Sequence, residues 1–163
     1  MYKNKIIIGT WSLSGSFGNI EKKEIYNIVD FAIQSGFLEF DLAPNYGFGK
    51  IEEIFSDIKK QNPKIIINTK CGNNYNGIKS FDQQDIIDSL KRSLDLLKYI
   101  NVLYLHNPRN EIYDISELIS LVLDFKKQGL IKNTGISFAR NHYFKKKDIN
   151  KLDFIQDEIN ILY

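Results

Sequence analysis

Leu38-Glu39-Phe40-Asp41-Leu42-Ala43-Pro44-Asn45-Tyr46-Gly47-Phe48-Gly49-Lys50-Ile51-Glu52-Glu53-Ile54-Phe55 decides the fold. The short, mostly apolar run Leu38–Ala43 stops at Pro44 and reads as a strand. Asn45, Gly47 and Gly49 are turn residues. Beyond them Ile51, Ile54, Phe55 and Ile58 fall on one face of a helix that ends near Pro63. Strand, loop and helix make one β/α unit.

The same unit recurs on both sides. Upstream, Ile6–Gly9 reads as a strand, and Ile25, Ile28, Val29, Ala32 and Ile33 line a helix face that stops at Gly36. Downstream, strands are expected at Ile65–Thr69, Val102–Leu105, Asn133–Ser137 and Phe154–Asn160. A helix carrying Ile86, Ile87, Leu90, Leu94 and Leu97, opened by Ser80-Phe81-Asp82, separates two of them. Another, with Leu118, Ile119, Val122 and Phe125 behind Ser116, closes at Gly129. A weaker helical piece spans Phe144–Asn150. The strands read as continuous apolar runs, as buried parallel strands do. Alternation of this kind implies parallel strands joined by right-handed helical crossovers. No linker or composition shift divides residues 1–163, so one domain is expected.

A doubly wound sheet and a (β/α)8 barrel of the TIM type both begin this way. The first strand is followed by Gly9-Thr10-Trp11, without the G-x-G-x-x-G turn of a dinucleotide-binding sheet. Gly47 and Gly49 form a G-x-G with no third glycine, and a flexible turn is its commoner meaning. The reading is an α/β barrel, incomplete at about six units.

Charge narrows the function. The chain carries 22 basic and 20 acidic residues, a net charge of +2, with Lys145-Lys146-Lys147 as its one basic block. This balance argues against a nucleic-acid or membrane-surface partner. Ile6-Ile7-Ile8 is too short for a signal core. Cys71 is the single cysteine, so no intramolecular disulfide forms, which fits a reducing, cytoplasmic location.

The chemistry sits at the strand ends. The second strand ends Glu39-Phe40-Asp41-Leu42-Ala43 with Tyr46 just beyond, the third ends Asn68-Thr69-Lys70, and the fourth ends Leu105-His106. In a parallel barrel these ends share one face, where barrel enzymes keep their active sites. Lys70 paired with Asp41 beside Tyr46 would lower the phenol pKa, and the tyrosine would then donate a proton to a carbonyl oxygen. His106 would hydrogen-bond the same oxygen. Each residue also has a plainer use: a structural Asp–Lys pair, a packed tyrosine, a histidine capping the turn at Asn107-Pro108.

The residues from Phe40 to Glu53 resemble the aldo-keto reductase signature, with its Asp, its Tyr-Gly-x-Gly and its Glu. Asn68-Thr69-Lys70-Cys71-Gly72, Leu103-Tyr104-Leu105-His106 and Gly129-Leu130-Ile131-Lys132-Asn133-Thr134-Gly135-Ile136-Ser137 are similar to later motifs of that family. Phe154-Ile155-Gln156 with Asn160 is similar to its sixth strand. The resemblance implies reduction of a small aldehyde or ketone by a nicotinamide cofactor, NADPH in most members, with NAD as the alternative. It makes Tyr46 the proton donor, tuned by Lys70 and Asp41, and His106 the substrate-orienting residue. Ser137 and Gln156 match positions that hold the nicotinamide carboxamide, with Asp41 close to the cofactor. Trp11 would line the substrate pocket. Two departures stand out: Asn101 where the fourth strand commonly begins with Asp, and Phe138 where many members follow the serine with Asn.

The resemblance also places a stacking aromatic and the phosphate-binding loops on a seventh and eighth strand, beyond Tyr163. Six strands alone are expected to leave two open sheet edges that invite self-association. A reductase that does not turn over as this stretch alone is one expectation. A non-catalytic, truncated relative that needs a partner chain to complete the barrel is the other.

Overall fold

A computed structural model describes residues 6–109, 111–138 and 149–158. Six strands form one sheet in the order β1 (Ile8–Gly9), β2 (Glu39–Asp41), β3 (Ile66–Cys71), β4 (Val102–His106), β5 (Asn133–Ser137) and β6 (Phe154–Gln156). Every pairing is parallel. Helices α1 (Lys22–Gln34), α2 (Lys50–Gln61), α3 (Gln83–Leu97) and α4 (Ile115–Lys127) lie in the crossovers, and a 3-10 turn spans Trp11–Ser14. The sheet curls, and its outer face is covered by helices. This is the incomplete (β/α)8 architecture expected from the alternation.

Two apolar clusters weld helices to sheet. Phe40, Leu42, Ile65 and Ile67 pack against Val29 of α1 and Ile51, Phe55 and Ile58 of α2. Leu103, Leu105 and Ile136 pack against Ile86 and Leu90 of α3 and Ile119 and Val122 of α4. Most are under 2% exposed, so each leucine- or isoleucine-sized side chain contributes about 1.5–3 kcal/mol of burial free energy.

The helix ends follow the sequence signals. Gly36 and Gly129 adopt φ of 86° and 74° just past α1 and α4. The Asp114 side chain caps α4 by accepting from the backbone N–H of Ser116 and Glu117. The strands are less apolar than expected. Asn68 and Lys70 of β3 point to the inner face, and a polar ladder crosses the sheet there. Asn68 Nδ2 donates to Glu39 Oε1 at 2.8 Å, Asn101 Nδ2 to Asn68 Oδ1 at 2.9 Å, and Asn133 Nδ2 to the Asn101 backbone oxygen at 3.2 Å. Asn101 thus serves as a structural link.

Some boundaries move. β3 runs on through Cys71 and β4 through His106, so Lys70 and His106 sit in the last residues of their strands. β6 stops at Gln156, and Asn160 lies outside the described residues, as do Lys145–Lys147 and most of the helical piece expected at Phe144–Asn150. Among the described residues β1 pairs only with β2 and β6 only with β5. No described helix is long and apolar enough to cross a membrane.

Candidate active site

Parallel strands side by side bring their C-terminal ends to one rim, and β1, β2, β3 and β4 present Thr10, Asp41, Lys70 and His106 there. Thr10 is fully buried, and its backbone N–H and hydroxyl both donate to the Asp41 carbonyl oxygen, at 3.1 and 2.9 Å. This fixes the end of β2. Lys70 Nζ then donates to Asp41 Oδ2 at 2.5 Å, to the Leu42 carbonyl oxygen at 2.9 Å and to Tyr46 Oη at 3.3 Å. The ammonium is 2% exposed, so all three donors find protein acceptors.

Tyr46 reaches this cluster from a tight loop. Its backbone N–H donates to the Ala43 carbonyl oxygen, and Gly47, Phe48 and Gly49 follow with φ of 59°, 55° and 89°. Consecutive left-handed residues explain both glycines. A side chain at Gly49 would also meet the Arg92 guanidinium at 2.8 Å. His106, 8% exposed, packs edge to face on Tyr46 with ring centroids 6.2 Å apart. The four residues expected to converge do so.

Burial sets the electrostatics. Desolvation, with the Asp41 charge adding to it, raises the Tyr46 pKa above its ordinary value. At rest the phenol pKa is thus held above its ordinary value, not below it as expected, because burial takes the phenolate out of water. Burial also lowers the Lys70 pKa, opposed by Asp41. His106 is pushed down from 6.5 to about 3, by burial first and then by the charges of Lys70 and Lys79. The imidazole is neutral across the physiological range, with one donor and one acceptor nitrogen.

A cleft of about 450 Å³ opens over this cluster. Trp11, 54% exposed on the 3-10 turn after β1, stands at its mouth edge to face with Phe17. Ser137 and Gln156 line the opposite wall. Both side chains are engaged: Ser137 Oγ donates to Asn107 Oδ1 at 2.9 Å, and Gln156 Nε2 to Asp41 Oδ2 at 3.2 Å. Asn107, held at φ 54°, is the residue that sequence reasoning passed over. It sets an amide beside Ser137, where Phe138 supplies none. The signal was the Asn-Pro pair after His106.

Two buried atoms in the cleft have no partner, Asp41 Oδ1 and His106 Nδ1. Open polar groups beside serine, glutamine and asparagine side chains suit a neutral amide and a carbonyl. Asp157 and Glu158, on the cleft wall past β6, do not suit a phosphate. The residues present fit the nicotinamide end of a dinucleotide.

Fold and cluster define a parallel barrel with its reactive side chains grouped at the C-terminal strand ends. The sequence model of the Aldo/keto reductase family matches residues 5–162, and the chain belongs to that family. An uncharacterized oxidoreductase, YqkF of Bacillus subtilis, is 34% identical over 141 residues, covering 79% of this chain and 46% of the relative. The NADH-specific methylglyoxal reductase of Escherichia coli is 24% identical over 95% of this chain and 55% of its own length. The solved glycerol dehydrogenase of Gluconobacter oxydans superposes with a TM-score of 0.79 at 22% identity, over 96% of this chain and 52% of that one, a likeness of fold. The chain spans about half the length of the curated relatives it matches.

Proposed function

We propose that this barrel reduces a small aldehyde or ketone to an alcohol with a nicotinamide cofactor. The observation that carries the reading is the Asp41–Lys70–Tyr46 hydrogen-bond chain with His106 against the phenol, all at one strand-end rim. A reduced nicotinamide held there would supply the hydride for the carbonyl carbon. The protein's part is at the oxygen. His106 donates a hydrogen bond to it and orients the carbonyl. Tyr46 gives up its proton as negative charge builds there, since an alkoxide is far more basic than a phenolate. Lys70 donates to the phenolate oxygen as it forms, and Asp41 keeps Lys70 charged and aimed.

Ser137, Asn107 and Gln156 hold the nicotinamide amide in this reading, and Trp11 closes over the substrate. NADPH is the family's usual cofactor, but the name of the Escherichia coli relative specifies NADH, so both reductants belong in the test. Methylglyoxal, which that relative's name also specifies, is the natural first substrate. We place the activity in the cytoplasm, on the strength of the single buried Cys71. The experiment follows oxidation of NADPH or NADH by methylglyoxal and simple aldehydes, using the native protein in whatever assembly it purifies. Reduction lost in Tyr46→Phe supports the reading.

The sheet edges favour a second reading for how that assembly forms. β1 and β6 each have one free side among the described residues. Ile6, Ile7, Phe154 and Ile155 beside those edges are 47%, 41%, 43% and 53% exposed. Exposed apolar strands of this kind pair with further strands, from the same or another chain. Light scattering of the 163-residue chain should give a mass above 19.0 kDa. A monodisperse 19.0 kDa species would remove this reading.

A further inference from the structure

Behind the candidate site lies a buried carboxylate that the proposed chemistry does not use. Glu52, in the first turn of α2, is 0% exposed. Its Oε1 accepts from Thr69 Oγ1 at 2.7 Å and from Ser93 Oγ at 2.9 Å, and Arg92 Nη1 lies 3.5 Å from Oε2. The contacts tie three elements together: the start of α2, the middle of β3 and the buried face of α3.

Thr69 and Lys70 are neighbours on β3, so their side chains leave opposite faces of the strand. Lys70 points inward to Asp41 and Tyr46, and Thr69 outward to Glu52. The Lys70 backbone therefore lies between two carboxylates, Asp41 in front and Glu52 behind. Glu52 also follows closely on the Tyr46–Gly49 loop. The Ile51 backbone N–H donates to the Tyr46 carbonyl oxygen at 3.4 Å, and that of Glu53 to the Gly49 oxygen at 3.2 Å. Arg92 braces the same loop from outside. Its guanidinium stacks over the Tyr75 ring at 4.5 Å, pairs with Glu53 at 3.3 Å and lies against Gly49.

A neutral side chain could fill this space with less desolvation cost. We propose that Glu52 is a positioning residue for the Lys70–Tyr46 pair, pinning the Tyr46 loop to β3 and setting a second negative charge behind the strand that carries Lys70. The proposal rests on the reading of Tyr46 as the acid and deepens it. The groups that face Glu52 are Arg92 from α3 and the neighbouring Glu53, with the Thr69 and Ser93 hydroxyls; Lys70 lies across the strand. Burial raises the affinity of Glu52 for a proton, and Thr69, Ser93 and Arg92 oppose this. Asp41 and then Glu52 support the charged form of Lys70 against its burial.

The test is an NMR titration of the 163-residue chain labelled with 13C at the lysine ε-carbons, Lys70 being assigned with Lys70→Arg. Glu52→Gln keeps the shape and an oxygen acceptor but removes the charge. It should lower the Lys70 midpoint by about one pH unit, the scale of one unit charge near a buried group. Glu52→Asp, which restores charge, should recover most of the shift. Glu53→Gln, at an exposed neighbour, should leave Lys70 where it is. In the wild-type chain, where folding of a variant is not at issue, the Lys70 signal should also respond at the pH where the Glu52 carboxyl titrates. A Lys70 midpoint unmoved in Glu52→Gln overturns the proposal, and so does a wild-type Lys70 signal blind to Glu52. Neither readout uses a cofactor or a carbonyl, so failure here leaves the reductase reading intact, and absence of turnover would leave this result intact.

Discussion

Tyr46 holds its proton firmly at rest because its phenol is buried beside the Asp41 charge, and Lys70 Nζ waits 3.3 Å from the oxygen. A donor of this kind acts when a stronger base forms against it. Tyr46→Phe should therefore leave fold and cofactor affinity intact while lowering kcat by about 10²–10⁴-fold, the usual worth of general acid catalysis. Lys70→Met should be similarly damaging, since the phenolate would form without a donor. His106 gives a pH prediction. Its folded pKa of about 3 lies below the ordinary 6.5, so the unfolded chain binds the proton more readily. Its stabilising contribution is complete above about pH 6.5 and drains away as pH falls toward 3. Denaturant midpoints across that range should fall more steeply for the wild type than for His106→Gln. Equal slopes would show that His106 titrates normally. The sequence made the four residues legible because type and strand-end position together select them. The direction of the Tyr46 shift was not legible, since it depends on how much water reaches the phenol. The roles of Asn107 and Glu52 were not legible either, because they come from contacts across elements.

At the scale of elements, periodicity found α1 to α4 and the six strands but not the 3-10 turn at Trp11–Ser14, and β5 at Asn133–Ser137 falls where expected. The misses concern what strands do inside a barrel. The inner face carries Glu39, Asn68, Asn101 and Asn133, a pattern that apolar-run reading cannot anticipate, because a polar ladder satisfies its own hydrogen bonds. Close packing across the ladder makes a further test. A methyl group at Gly135 of β5 would meet the Tyr104 ring of β4 at 2.4 Å. Gly135→Ala should destabilise the fold by about 1–3 kcal/mol, the usual cost of overpacking, as measured by urea midpoint. A neutral result would mean that Tyr104 swings away freely. Asp114→Ala should cost about 1 kcal/mol in the same assay through loss of the α4 cap.

For the whole molecule, one core reports on integrity and one rim on function. Cys71 is fully buried, and burial pushes its thiol up to about 12. In the native protein it should resist a disulfide reagent at neutral pH and react only at the rate of opening. Rapid labelling would mean that β3 frays beside Lys70. The half-barrel itself was legible in the β/α alternation, and its curled sheet holds the rim residues on neighbouring strand ends. The rim chemistry is a question of four side chains. The most direct measurement of that chemistry is reduction of methylglyoxal by NADPH or NADH in the native assembly, with wild-type and Tyr46→Phe protein compared at saturating cofactor. The account predicts turnover in the wild type and a fall of about 10²–10⁴-fold in the variant, with cofactor binding unchanged. A wild-type protein that binds the reduced cofactor yet reduces no carbonyl, or a Tyr46→Phe protein that keeps the full rate, would contradict it.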